Sequence, residues 1–219
     1  MTSIKLWPDD YGLHPDHCRD VLEGGSYDVP WSPETPPVIL DVGANVGAFT
    51  RWAAARWPGC TIHAYEPHPG NFALLKRTIE GLEDDCWFYP YPLAVLDKAG
   101  TRTLKFHSEA LNCGEWSLNS SGGSKDSVEV RVIPATDLPR ADILKLDTEG
   151  AEMEILSSLK HRLHEFSAVM MEIHNAAWVD PICDVLQIAG FAVIAKEEKF
   201  GSKNRVECKF LKHGLRQKI

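Results

Sequence analysis

Four short apolar runs in this chain end in acidic or ionisable residues. Asp41 follows Val38-Ile39-Leu40, Glu66 follows Thr61–Tyr65, Asp147 follows Asp142–Leu146, and Glu172 and His174 close Ala168–Ile173. The first is followed by a glycine turn, Gly43-Ala44-Asn45-Val46-Gly47, and then by AFTRWAAARW, which reads as helix. Strand, glycine turn and helix open a nucleotide-binding βαβ unit. The turn is G-x-x-x-G, neither the G-x-G-x-x-G of dinucleotide sites nor a P-loop with its Gly-Lys-Ser/Thr. An acid before the turn repels a pyrophosphate. It suits a ligand carrying an ammonium group and a sulfonium, which describes S-adenosylmethionine. Glu66 stands about 20 residues further on, where a carboxylate takes ribose hydroxyls. Asp41, Gly43, Ala44, Asn45, Gly47, Glu66 and Pro67 are therefore the expected cofactor contacts.

The later acids supply the second half of such a reaction. Methyl transfer from a sulfonium is an in-line displacement whose reactants mainly need positioning. An alcohol acceptor must also lose its proton during attack. His174 is the first candidate base, because its unperturbed pKa suits proton transfer near neutrality. Asp147 is the second, or the group that orients His174. Glu149 and Glu152 are expected to hold substrate hydroxyls or the methionine part of the cofactor. Each has a plain structural alternative: His174 closing a strand by a hydrogen bond, Glu152 favouring a helix N-terminus, Glu172 bonding within the fold.

The elements that must carry these residues alternate. Helices are expected over Ala48–Trp57, Asn71–Glu80, Glu152–His161 and Pro181–Ala189. A third strand is expected from Trp87–Tyr91 with Leu93–Val95. Thr101–His107 and Ser127–Ile133 alternate in polarity and read as paired strands. Between them, Ser108–Asp126 is long enough for a functional loop. It is read as a substrate lid carrying Asn112, Glu115 and Trp116. Phe191–Lys196 and Arg205–Leu211 pair as a closing hairpin. The predicted architecture is α/β: a mostly parallel, doubly wound sheet with an antiparallel C-terminal edge hairpin. Residues 1–37 are read as an N-terminal cap segment and 38–219 as the enzyme domain.

The 219 residues suit a single core. A net charge of −8 disfavours nucleic acid as partner. No apolar stretch approaches the roughly 20 residues that span a bilayer. MTSIKLWPDD has no apolar signal core, so no membrane association and a cytoplasmic location are expected. The six cysteines form no C-x-x-C pair, which argues against structural zinc.

DVGANVGAFT, YEPHPGNFALLKRTI, LAVLD, LKLDTEGAEMEIL and MEIH together resemble the FkbM-type S-adenosylmethionine-dependent methyltransferases, from roughly Tyr27 to the C-terminus. The resemblance implies a class I Rossmann-like methyltransferase fold. It implies an adenine ring against Ala94 and its neighbours, and O-methylation of a sugar, natural product or other small polar metabolite. An N-methyltransferase is the nearest alternative, although its D/N-P-P-Y/F signature is replaced here by Asp147-Thr148-Glu149-Gly150. A dinucleotide-dependent oxidoreductase and a non-catalytic binding module are more distant. Asp147, His174 and Asn175 also occupy places comparable to the magnesium ligands of catechol-type O-methyltransferases. A divalent metal is admitted on that ground, but a metal-free site is favoured. Oligomeric state is not read from the sequence.

Overall fold

The computed structural model describes residues 18, 21–22, 26–82, 85–106, 116–117, 127–198 and 205–215, with 106, 116 and 117 described as backbone only. The chain is built on a seven-stranded sheet. Its centre is β1 (Val38–Val42), with β2 (Thr61–Tyr65) on one side and β8 (Ile143–Leu146) on the other, all parallel. β3 (Trp87–Tyr91) extends the sheet beyond β2, and β9 (Ala168–Ile173) extends it beyond β8. β11 (Val206–Lys212) pairs antiparallel with β9, and β10 (Phe191–Glu198) antiparallel with β11. The order is β10-β11-β9-β8-β1-β2-β3. The chain moves outward from β1 in one direction, then returns to build the other half from β8. The switch in strand order falls between β1 and β8, where ligands of open α/β sheets bind.

Strands buried on both faces need apolar residues at successive positions. Ile39 and Leu40 show why: each is fully buried, but they enter different core clusters. Ile39 joins Ile62, Phe49 and Leu75, the last two from α1 (Ala48–Arg56) and α2 (Pro69–Glu80). Leu40 joins Leu144, Leu146, Ile155 and Ile182, the last two from α3 (Glu152–Leu159) and α4 (Val179–Ile188). Alternation along β1 thus fixes one helical layer on each face.

Some boundaries differ from the sequence expectation, for local reasons. β1 does not stop at Asp41 but continues through it to Val42, in register with Tyr65 and Leu146. Asp41 is tolerated inside the strand because Thr50 and Lys145 neutralise it, as described below. Trp87–Tyr91 and the segment after it do not form one strand. Pro92 has no N–H to continue the ladder, and β4 (Ala94–Leu96) leaves for a second sheet. That sheet has the order β4-β7-β5-β6, formed with β5 (Gly100–Phe106), β6 (Trp116–Ser117) and β7 (Ser127–Pro134). α4 starts two residues before Pro181, which is accepted in a first turn.

Tyr27, Val29 and Trp31 of the expected cap are buried in the same cluster as Phe49. The rest of the expected cap up to residue 25, apart from 18 and 21–22, lies outside the described residues. So do Asn112 and Glu115; Trp116 contributes its backbone to β6, paired with Phe106. Among the described residues, no helix is long and apolar enough to cross a membrane.

Candidate active site

The glycine turn is tied to the end of β2 by its own amides. The N–H groups of Gly43 and Ala44 both donate to the Tyr65 carbonyl, at 3.0 and 2.9 Å. Gly43 has φ 82°, and a Cβ placed there would lie 1.8 Å from the Asp147 carbonyl oxygen. Only glycine lets the first loop and the loop after β8 approach this closely. Gly47 serves packing: a Cβ there would meet Leu75 and Thr78 of α2 at 2.9 and 3.2 Å. Ala44 is a core residue, buried beside Phe49.

Glu66 is caught between two backbone donors. Asn45 N–H donates to Oε2 and His68 N–H to Oε1, both at 2.8 Å. A carboxylate has about four acceptor positions, so capacity remains for a ribose diol. Burial raises the Glu66 pKa to about 7, against the pull of the two amides and the more distant Lys145 charge. Asn45 holds φ 51°, and its buried Oδ1 has no hydrogen-bond partner. A ligand rich in donors fits this cradle; a pyrophosphate, which is all acceptor, does not. Pro67 follows Glu66 directly and is half-buried. Ala94 is a buried core residue at the start of β4. Asp41 is fully buried, accepting from Thr50 Oγ1 at 2.7 Å and lying 3.2 Å from Lys145 Nζ. It supports the loop from beneath.

The second loop gathers the other expected residues around one ring. His174 Nδ1 lies 3.0 Å from Glu152 Oε1. That same oxygen accepts from Thr148 N, Thr148 Oγ1 and Gly150 N at 3.0–3.1 Å. Glu152 is fully buried at the start of α3. Burial would raise its pKa, but His174 and the Gly150 amide outweigh that and lower it. On the other edge of the ring, Nε2 lies 3.2 Å from Glu149 Oε2, 3.6 Å from Glu172 Oε1 and 3.8 Å from Asp147 Oδ1. Glu149 reaches this place from a left-handed backbone, φ 53°. Burial works against a charged ring here. The surrounding carboxylates, Glu149 and Glu152 foremost, overcome it and push the His174 pKa up to about 11. A ring protonated through the neutral range has no room for another proton, so general-base action by His174 requires that proton to be displaced first.

Lys145, Arg205 and Tyr27 were given no site role from the sequence. Lys145 is 3% exposed. Its ammonium donates to the Gly43 carbonyl at 2.6 Å and lies 3.2 Å from Asp41 and 3.7 Å from Asp147. One cation thus joins the cofactor loop to the acid loop. A lysine between Leu144 and Leu146 in a buried strand was a readable signal, since an ammonium there needs acid partners. Arg205 reaches Glu149 at 3.4 Å and Glu172 at 3.9 Å from the β11 side. Tyr27 donates its hydroxyl to Asp147 Oδ2 at 3.2 Å. Asn175 does not join the cluster through its Oδ1, which caps the following turn by accepting from Ala177 N–H.

The strand order is that of the class I Rossmann-like methyltransferase fold, and the family match makes the chain an S-adenosylmethionine-dependent methyltransferase. Residues 41–193 match the methyltransferase FkbM domain, and the chain belongs to that family. It is 25% identical to the 31-O-demethyl-FK506 methyltransferase FkbM of Streptomyces tacrolimicus, over 74% of this chain and 75% of that one. It is 26% identical to the hexuronic acid methyltransferase AglP of Haloferax volcanii, over 75% of this chain and 66% of the relative. The fold is shared with a conserved hypothetical protein of Streptococcus pyogenes, at a TM-score of 0.53 and 12% identity over 86% of this chain and 92% of the other.

Proposed function

We propose that the chain transfers the methyl group of S-adenosylmethionine to a hydroxyl of a sugar or of another small, oxygen-rich metabolite. The observation that carries this is the abutment of the two loops at Gly43 and Asp147. It sets a donor-accepting cradle beside a group of carboxylates. In this reading Asn45 and Glu66 hold the amino-acid and ribose ends of the cofactor. Asp147 and Glu149 hold the acceptor hydroxyl in line with the S–CH3 bond, and His174, fixed by Glu152, backs them. A carboxylate pair grips hydroxyls well and repels phosphates. The names of two relatives, a 31-O-demethyl-FK506 methyltransferase and a hexuronic acid methyltransferase, agree with such an acceptor.

The test is transfer of a 13C-labelled methyl group to a panel of hydroxylated and amine-bearing sugars and macrolides. The carbon shift of the product separates a methyl ether from a methylamine. A methyl ether is expected, and a methyl group found on nitrogen would overturn the oxygen assignment.

A further inference from the structure

We propose that Asp147, Glu149 and His174 bind one divalent transition-metal ion. One atom from each of these side chains lies within 4.8 Å of the other two. Around an ion with bonds of about 2.1–2.3 Å, neighbouring donors sit about 3 Å apart and opposite ones a little over 4 Å. The 3.2 and 3.8 Å separations of Nε2 from Glu149 and Asp147 fall in that interval.

The stronger observation is the state of the ring. The His174 side chain is 7% exposed. Its Nδ1 edge is committed to Glu152, itself held by three further donors. Its Nε2 is buried and has no hydrogen-bond partner, although three carboxylate oxygens lie within 4 Å. Glu149 Oε2, at 3.2 Å, is near enough to bond but out of line with a ring N–H, and the other two oxygens lie beyond hydrogen-bond reach. A metal ion that displaces the Nε2 proton would find there a buried nitrogen committed to no hydrogen bond, with carboxylates beside it to share the cation. A carboxylate fixing the far N–H of the ring is the usual support of a metal-bound histidine. Asp147 and Glu149 are 26% and 19% exposed, so both carboxylates remain within reach of solvent. One imidazole with two carboxylates lies between the all-oxygen sites of magnesium and calcium and the nitrogen-rich sites of zinc and copper, which favours manganese(II) or iron(II).

The role of the ion, though not its binding, rests on the methyl-transfer reading. A hydroxyl bound to the cation loses its proton to water more readily. The oxygen lone pair then forms the C–O bond while the C–S bond breaks and its electron pair stays on sulfur, releasing neutral S-adenosylhomocysteine.

The test is calorimetric titration of EDTA-stripped protein with MnCl2, then with MgCl2 and CaCl2, alongside the visible spectrum with CoCl2. Expected are one Mn2+ per chain, tighter than Mg2+ or Ca2+, and cobalt bands of a mixed nitrogen–oxygen site. Glu149→Gln and His174→Ala should each weaken Mn2+ by at least about tenfold, and Glu152→Gln by about tenfold through loss of ring orientation. Thermal melting checks that each variant is folded. Should His174→Ala fail to fold, Glu149→Gln with the cobalt spectrum decides. No binding of Mn2+ or Co2+ at millimolar concentration, or binding unchanged in Glu149→Gln, overturns the proposal. S-adenosylhomocysteine is titrated into the same metal-free protein. If it binds while Mn2+ does not, the ion site alone falls. If Mn2+ binds while S-adenosylhomocysteine does not, the methyl-transfer reading falls and the site stands.

Discussion

Glu66, just past β2, and Glu152, at the start of α3, are both buried carboxylates that accept from two backbone amides, yet only Glu152 also meets a charged ring. Glu66 is held by two backbone amides, and its nearest cation, Lys145, acts only at a distance. Burial dominates, and its pKa rises to about 7. Glu152 faces a charged ring within a ring of further acids, and its pKa falls. The first loop is thus shaped by backbone conformation, whose requirements are local: a glycine at 43 and a left-handed Asn45. The acid cluster around His174 is shaped by mutual charge, so each member depends on all the others. A backbone cradle tolerates a lost side chain nearby. A charge cluster does not, because removing one partner strands another in a medium that solvates it poorly.

Lys145 belongs to both halves, so its removal should have the largest effect. Lys145→Met keeps length and apolar bulk but leaves Asp41, fully buried, with Thr50 as its remaining hydrogen-bond partner. A loss of about 3–5 kcal/mol in urea unfolding is expected, the range for breaking a buried ion pair from one side. Adding Asp41→Asn should recover at least about 1 kcal/mol, because the stranded charge is then gone. A single-variant loss below about 1 kcal/mol would mean that the two halves are not joined through this ammonium.

The contrast also explains what the sequence could disclose. The strand, turn and helix around the first loop were legible because their signal is consecutive: an apolar run, two glycines four apart, a helix, then an acid after the next strand. Asp147, Glu149, Glu152 and His174 were singled out as ionisable residues just past the later apolar runs. What those runs could not show was Arg205, which meets Glu149 across 56 residues and only because β11 inserts antiparallel between β9 and β10. Glu172 was left between catalysis and fold, since alternation alone does not say what lies across a strand. Asp41 was read as a cofactor contact because an acid before the turn suits an ammonium group and a sulfonium. The structure buries it under Thr50 and Lys145, a pairing visible only once β1 and β8 are side by side.

A mid-sized effect comes from Glu66, and its sign differs between empty and loaded protein. Its pKa is raised from an unfolded value near 4.5 to about 7. An acid shifted upward contributes stability that is full below pH 4.5 and is lost as pH rises through 7. Glu66→Gln removes that loss, but its amide group also opposes one of the two backbone N–H donors. Comparing the variant with wild type at pH 5 and again at pH 8 cancels the second cost. The variant's relative stability without cofactor should improve by about 2–3 kcal/mol between the two pH values, following the size of the shift. S-adenosylmethionine binding at pH 8 should instead weaken by about 1.5–3 kcal/mol, the value of hydrogen bonds to a charged group. A pH-independent difference would mean that Glu66 is not desolvated as its burial implies.

Tyr27 should give the smallest effect, and it asks whether the N-terminal segment belongs to the charged side at all. Its ring stands edge-on to Phe49, with centroids 5.1 Å apart, and lies 5.9 Å from the Lys145 ammonium. Tyr27→Phe leaves that packing in place and deletes only the hydroxyl. Burial, aided by the charges of Asp147 and Glu172, holds the Tyr27 pKa well above its ordinary value, so the lost group is a neutral donor. Asp147 keeps Lys145 at 3.7 Å and remains partly open to water, which limits the penalty. A loss of about 0.5–1.5 kcal/mol in urea unfolding is expected, the net worth of one hydrogen bond. A cost approaching that of Lys145→Met would show that Asp147 is held mainly by Tyr27. The acid cluster would then extend into the segment before β1, and the division into a backbone-built half and a charge-built half would have to be redrawn around that segment.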